Sequence, residues 1–196
     1  IFGQNANELA FYYTPWVLYI GLITLVLATF GVLSSKELKT QISYLVLLSV
    51  SIILIAIGIN SKEALSGAIF YMIHSTFVAG GFFLIADVIL KARNSTSLRP
   101  KMPIFKNAIL IGSIFFIFAI AIAGLPPFSG FFGKIMILKS SINHTQTALI
   151  LTTVLLSSLL VIVSLARSGT NIFYDTRAKE EESNYKLSKS TRSEEH

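Results

Sequence analysis

Three ionisable side chains stand inside stretches that are otherwise apolar. Lys134 closes AGLPPFSGFFGK (123–134), His74 lies in FYMIHSTFVAGGFFLIADVI (70–89), and Asp87 is near the end of that second stretch. A lysine at the centre of a membrane span costs about 2.5–3.5 kcal/mol. It is kept there only where it faces a protein interior or a wet path. An amine in such a place can lose and regain a proton as neighbouring charge changes. An imidazole, with its ordinary pKa of about 6.5, suits a proton relay or a hydrogen bond between helices. Asp87 has Lys91 four residues later, a spacing that favours an interfacial helical ion pair and makes it the weaker candidate.

The backbone beside Lys134 is as unusual as the lysine. Pro126 and Pro127 remove two consecutive amide donors and crowd the carbonyls that precede them. Leu125 is disfavoured in the helical region by the proline that follows it. Gly124 and Gly130 flank the pair and admit dihedrals closed to other residues. A simple packing kink would need only one proline. The five residues together predict a discontinuous helix, whose freed carbonyls could meet a cation, water or a side chain. Broken helices survive at membrane depth only where protein or a wet cavity covers them.

Around these residues the chain predicts an all-α integral membrane protein with about five spans. They cover roughly 15–33, 41–59, 61–90, 107–143 (broken near 124–129) and 146–166. Pro15 suits the first turn of the first span. From 107 to 143 a straight helix would run about 55 Å, against a hydrocarbon core of about 30 Å, so that segment has to break or tilt. Ala79, Gly80 and Gly81 would let a neighbouring helix approach closely. Residues 1–14 read as an outer loop, 15–174 as the membrane region and 175–196 as a polar cytoplasmic tail. The start at Ile1 reads as part of a longer chain.

Composition agrees with this plan. Of 196 residues, 53% are hydrophobic and only 13% charged, about half the charge of a soluble domain. Mean hydropathy is +0.70. There is no cysteine, which excludes disulfides, thiolate catalysis and cysteine metal sites, and the three histidines match no metal spacing. The net charge of +6 is distributed by side. Thirteen basic residues (Lys36, Lys39, Lys91, Arg93, Arg99, Lys101, Lys106, Arg167 and five in the tail) fall on one side, with Lys62 and Lys139 on the other. The positive-inside rule then puts the N-terminus outside and the C-terminus in the cytoplasm, as five spans require. The basic surplus reports orientation rather than nucleic-acid binding.

Three segments, LYIGLITLVLATFGVLSSKELKTQISYLVLLSVSIILIAIGI, ALSGAIFYMIHSTFVAGGFFLIADVI and GLPPFSGFFGKIMIL, resemble the C-terminal half of antiporter-like membrane subunits. That superfamily includes multisubunit cation/proton antiporters of the Mrp or Pha type and the proton-pumping membrane subunits of respiratory complex I. The combination of IHST…FFLIAD with GLPPFSGFFGK is most similar to the D-type subunits of the antiporters. The resemblance implies one five-helix repeat with a broken helix, Lys134 as its central lysine and His74 as the histidine on the neighbouring helix. Some relatives carry a further lysine after the histidine, where this chain has small and apolar residues around Ala79. The resemblance also implies a first repeat with its own glutamate–lysine pair, so this stretch alone is not expected to transport.

The expected function is that of a subunit exchanging H⁺ for Na⁺ or K⁺ through a central Lys134/His74 proton path, without a cofactor or a bound metal. Its expected partners are other membrane subunits of the complex, the transported ions and the bilayer of a bacterial cytoplasmic membrane. Two alternatives stay open. One is a proton-pumping membrane subunit of an NADH-quinone oxidoreductase or related hydrogenase complex, in which the enzymatic chemistry belongs to other subunits. The other is a remnant that only scaffolds assembly.

Overall fold

Long apolar runs with few charges leave the backbone little choice in a bilayer, because a helix satisfies every amide within its own segment. The computed structural model describes residues 7–93, 95–98 and 107–174 and assigns six helices among them. They are α1 (Asn7–Ser34), α2 (Leu38–Ile59), α3 (Lys62–Arg93), α4 (Ala108–Ala123), α5 (Ser129–Ser140) and α6 (Thr147–Phe173). The tail 175–196, the first six residues of the expected outer loop and the basic residues Arg99, Lys101 and Lys106 lie outside the described residues. Among the described residues there is no sheet, only an isolated bridge between Glu37 and Ser97.

Four helices, α1, α2, α3 and α6, are long and apolar enough to cross a membrane. The discontinuous helix predicted over 107–143 is two shorter ones, of 16 and 12 residues, interrupted at 124–128 as expected. At 1.5 Å per residue these measure about 24 and 18 Å, neither enough to cross a core of about 30 Å alone. Two other boundaries differ from the sequence expectation. Residues 7–14, expected in the outer loop, are helical, so Pro15 lies inside α1 rather than in its first turn. It removes one amide donor, a loss that membrane helices tolerate. The last helix runs to Phe173, seven residues past the expected end. There Gly169 allows α6 to lie against Phe116, and Phe173 packs its ring 5.5 Å from that of Phe115.

The core is one apolar cluster that runs through all the described helices, from Leu18 and Leu25 on α1 to Leu165 and Ile172 on α6. α1 and α2 make the most extensive contact, then α3 with α5 and α2 with α3. Short loops hold the ends. Leu38 N–H donates to Thr96 O at 2.9 Å and Leu98 N–H to Lys36 O at 2.9 Å, tying the α1–α2 connection to the chain after α3. Outward faces stay apolar: Trp16, Ile20, Ile23, Leu27 and Phe30 of α1 are all more than half exposed.

Helix approach is set by glycines, only in part at the expected cluster. Gly81 faces the Phe118 ring of α4, whereas nothing lies within 4 Å of a side chain added at Gly80. At Gly58 a methyl group would stand 2.6 Å from Cα of Leu18, against α1 backbone. Gly58→Ala should therefore destabilise the bundle by about 1–3 kcal/mol, the usual range for overpacking. Gly80→Ala should be neutral or stabilising by up to about 1 kcal/mol from helix propensity. Thermal unfolding followed through the single tryptophan, Trp16, separates the two variants; equal melting temperatures would contradict this packing.

Candidate functional site

The interruption between α4 and α5 begins as a backbone problem. In an unbroken helix the carbonyls of Ile122 and Ala123 would each accept from the amide four residues on, but those residues are Pro126 and Pro127. Gly124 ends α4 in the left-handed region, at φ +72°, and its amide turns back to Ala121 and Ile120. Leu125 N–H reaches Ile120 O at 3.2 Å, and Phe128 N–H closes the turn onto Leu125 O at 3.2 Å. α5 then starts at Ser129 from an extended Phe128.

Lys134 answers one of the stranded carbonyls. Its Nζ donates to Ala123 O at 2.8 Å and to Ser158 Oγ of α6 at 3.3 Å. The ammonium also stands 5.9 Å from the centre of the Tyr71 ring, within range of a cation–π contact. Lys134 is 6% exposed. No carboxylate pairs with it, for the ion pair among the described residues is Asp87 with Lys91. The amine is thus held by neutral oxygens and a ring face, which leaves its charge uncompensated among the described residues. Gly124 makes the room: a Cβ there would stand 2.8 Å from Cδ and 3.0 Å from Nζ of Lys134.

His74 answers the same turn of α4 from the other side. Its Nε2 lies 3.0 Å from Ala121 O and its Nδ1 2.7 Å from Ser129 Oγ. A carbonyl can only accept, so Nε2 carries a proton. In the neutral ring Nδ1 then accepts from the Ser129 hydroxyl, and in the charged ring it donates to the same oxygen. The serine can turn to serve either state. Gly130 is required beside it, since a Cβ at that position would run into the imidazole. Gly133 seats α5 closely on α3, with a Cβ there only 2.9 Å from that of Tyr71.

The break, Lys134 and His74 therefore share one site, and the carbonyls of Ala121 and Ala123 are taken by side chains rather than left open. Leu125 is half-buried, while Pro126 and Pro127 are exposed. Asp87 stands apart: it pairs with Lys91 at 2.8 Å on an open surface, thirteen residues or about 20 Å along α3 from His74. Sequence reasoning missed Tyr71, Ser129 and Ser158. Tyr71 is one helical turn before His74, and Ser129 lies within the proline motif, so both carried a positional signal; Ser158 in its apolar helix carried none. Among the described residues no group of His, Asp or Glu could hold a metal ion.

Comparison with known proteins gives the site its relatives. Residues 7–160 match the family model described as NADH:quinone oxidoreductase/Mrp antiporter, TM. The D-type subunit of the Na(+)/H(+) antiporter of Bacillus subtilis is 27% identical over 173 residues, 88% of this chain and 35% of that protein. The chain thus spans about a third of the length of the curated relatives it matches. Among solved structures, respiratory complex I from Thermus thermophilus superposes with a TM-score of 0.79 at 18% identity, over 86% of this chain and 36% of the other. The Mrp complex from Dietzia sp. DQ12-45-1b superposes with a TM-score of 0.68 at 23% identity, over 80% and 30%. These similarities to structures concern the fold. With most of its length matched, the chain belongs to the NADH:quinone oxidoreductase/Mrp antiporter transmembrane family and is a distant homologue of the D-type antiporter subunits.

Proposed function

We propose that this chain forms one antiporter-like repeat of a multisubunit cation/proton antiporter, in which Lys134 and His74 carry protons across the membrane centre in exchange for Na⁺ or K⁺. The observation that carries the reading is a buried amine with no carboxylate partner among the described residues, held by a carbonyl at a helix break. In this reading α4 and α5 together make one interrupted crossing, which gives five spans, with the basic end of the bundle facing the cytoplasm. Lys134 gives its proton to water or takes one at the break, and Ala123 O and Ser158 Oγ hold the amine in place. His74 and Ser129 pass a proton by ring protonation and hydroxyl rotation. Both side chains hang on one turn of α4, so a charge gained by one changes the cost of charge on the other. The rest of a complete subunit would supply the groups that couple this step to the cation.

A second reading, a proton-pumping membrane subunit of a redox complex, is favoured by the fold likeness to complex I. The local proton chemistry is the same in both. Co-purifying flavin and iron–sulfur subunits would select the redox complex.

In the complete complex, Lys134→Ala should abolish Na⁺- or K⁺-driven recovery of a pH gradient in inverted vesicles, while native gels still show the assembled complex. Retained exchange would reject Lys134 as the proton carrier. His74→Ala should slow exchange by roughly a hundredfold, the lower range for a positioned proton-transfer group. Nitrogen-15 spectra of labelled histidine should show the Nε2–H tautomer of His74 at high pH in the parent and in Ser129→Ala. Gly130→Ala should lose it, because the methyl displaces the ring from Ala121. An Nδ1–H ring in the parent would contradict the relay.

A further inference from the structure

Away from the helix break, at the basic end of the bundle, a cavity of about 300 Å³ opens between the α1–α2 connection and α6. Ser34, Ser35 and Lys36 line one side, and Arg167, Ser168 and Asn171 the other. No acidic residue contributes to its walls. Neither Lys36 nor Arg167 is paired with a carboxylate among the described residues. Most hydroxyls and amides around the cavity are already committed to the protein. Ser34 and Ser35 donate to Gly31 O. Asn171 Nδ2 donates to Leu98 O at 3.3 Å. Deeper in the wall, Ser164 Oγ donates to Val32 O at 3.1 Å and accepts from Gln41 Nε2 at 2.9 Å. Ser168 differs. It is 4% exposed, it lines the cavity, and its hydroxyl has no hydrogen-bond partner among the described residues. Neighbouring serines and threonines on these helices mostly bond back to their own helix, as Thr170 does to Ala166 O.

Two unpaired cations and one buried, unspent hydroxyl around an acid-free cavity form a receptor for an oxyanion. The cavity volume is at the lower end of the range for small-ligand sites. Its position at the ends of two apolar helices, with Leu33 and Leu98 in its walls, is the headgroup level of a membrane in which those helices cross. Basic pockets between helices at that level take phosphate headgroups. We propose that this cavity binds a phosphate group, with Lys36 and Arg167 supplying the charge and Ser168 a hydrogen bond. The phosphate comes either from an anionic lipid headgroup or from free phosphate in solution.

The test uses the full-length protein purified in mild detergent. Native mass spectrometry is run with added phosphatidylglycerol, with phosphatidylcholine, and with inorganic phosphate alone. The lipid source is supported if one phosphatidylglycerol is retained in preference to phosphatidylcholine and the double variant Lys36→Gln/Arg167→Gln weakens retention about thirtyfold. That figure takes each basic contact as about fivefold. Ser168→Ala should weaken it by a few-fold in the same direction. Binding of inorganic phosphate, lost in the double variant without selective lipid retention, supports the same site with a soluble anion as its source. Both cations are exposed, so the double variant should keep the parent melting curve. Retention of phosphatidylglycerol and phosphate unaffected by the double variant, no binding of either, or a cavity filled by another segment of the full-length protein would each overturn the proposal.

Discussion

The arrangement depends on a shortage of hydrogen-bond donors. Two adjacent prolines deprive the end of α4 of the amides that would have satisfied its last carbonyls. A stranded carbonyl in an apolar surrounding costs about 1–3 kcal/mol, and a buried ammonium without hydrogen bonds costs far more. Bringing Lys134 to Ala123 O relieves both costs with one contact. The lysine is therefore part of the reason the break is tolerable, and the break is part of the reason the lysine can be buried.

Other features follow from that exchange. Gly124 has to be a glycine both for its left-handed backbone and for the lysine stem that lies across it. α5 has to lie close to α3 so that the amine reaches Ala123 and Tyr71 together, and Gly133 permits this. His74 repeats the logic on the same turn, with Ala121 O on one nitrogen and Ser129 on the other. Both groups can change charge while keeping hydrogen bonds, since each faces oxygens able to accept and a hydroxyl able to turn. A network satisfied in more than one protonation state is what a proton path needs, whether a cation gradient or a redox reaction drives it.

Much of this was legible in residue types, because the causes are local. Proline lacks an amide wherever it stands, so the interruption could be placed from GLPPFSG alone, and a lysine in an apolar run has to be accommodated somehow. Partners distant in sequence were not legible. Ser158 is 24 residues from Lys134, and Ser164 is 123 from Gln41; only helix packing brings them together. Boundaries failed where tertiary contacts overrode local signals. Pro15 read as a helix start but sits inside α1, and the last span, expected to end near 166, continues to Phe173, where Phe173 and Gly169 pack against Phe115 and Phe116. The expected approach at Gly80 and Gly81 was half right: Gly81 receives Phe118, and Gly80 meets open space.

The central claim is that the Lys134 ammonium is tethered at the break and not drawn out to the membrane surface. Dipolar-recoupling solid-state NMR on the protein in lipid bilayers addresses it directly, with nitrogen-15 at lysine Nζ and carbon-13 at the Ala123 carbonyl. A Lys134→Arg sample assigns the signal. The account expects strong dephasing of the Lys134 Nζ signal by the Ala123 carbonyl carbon and none by lipid phosphorus. Dephasing by phosphorus without coupling to Ala123 would mean the amine reaches the headgroups, and would contradict it.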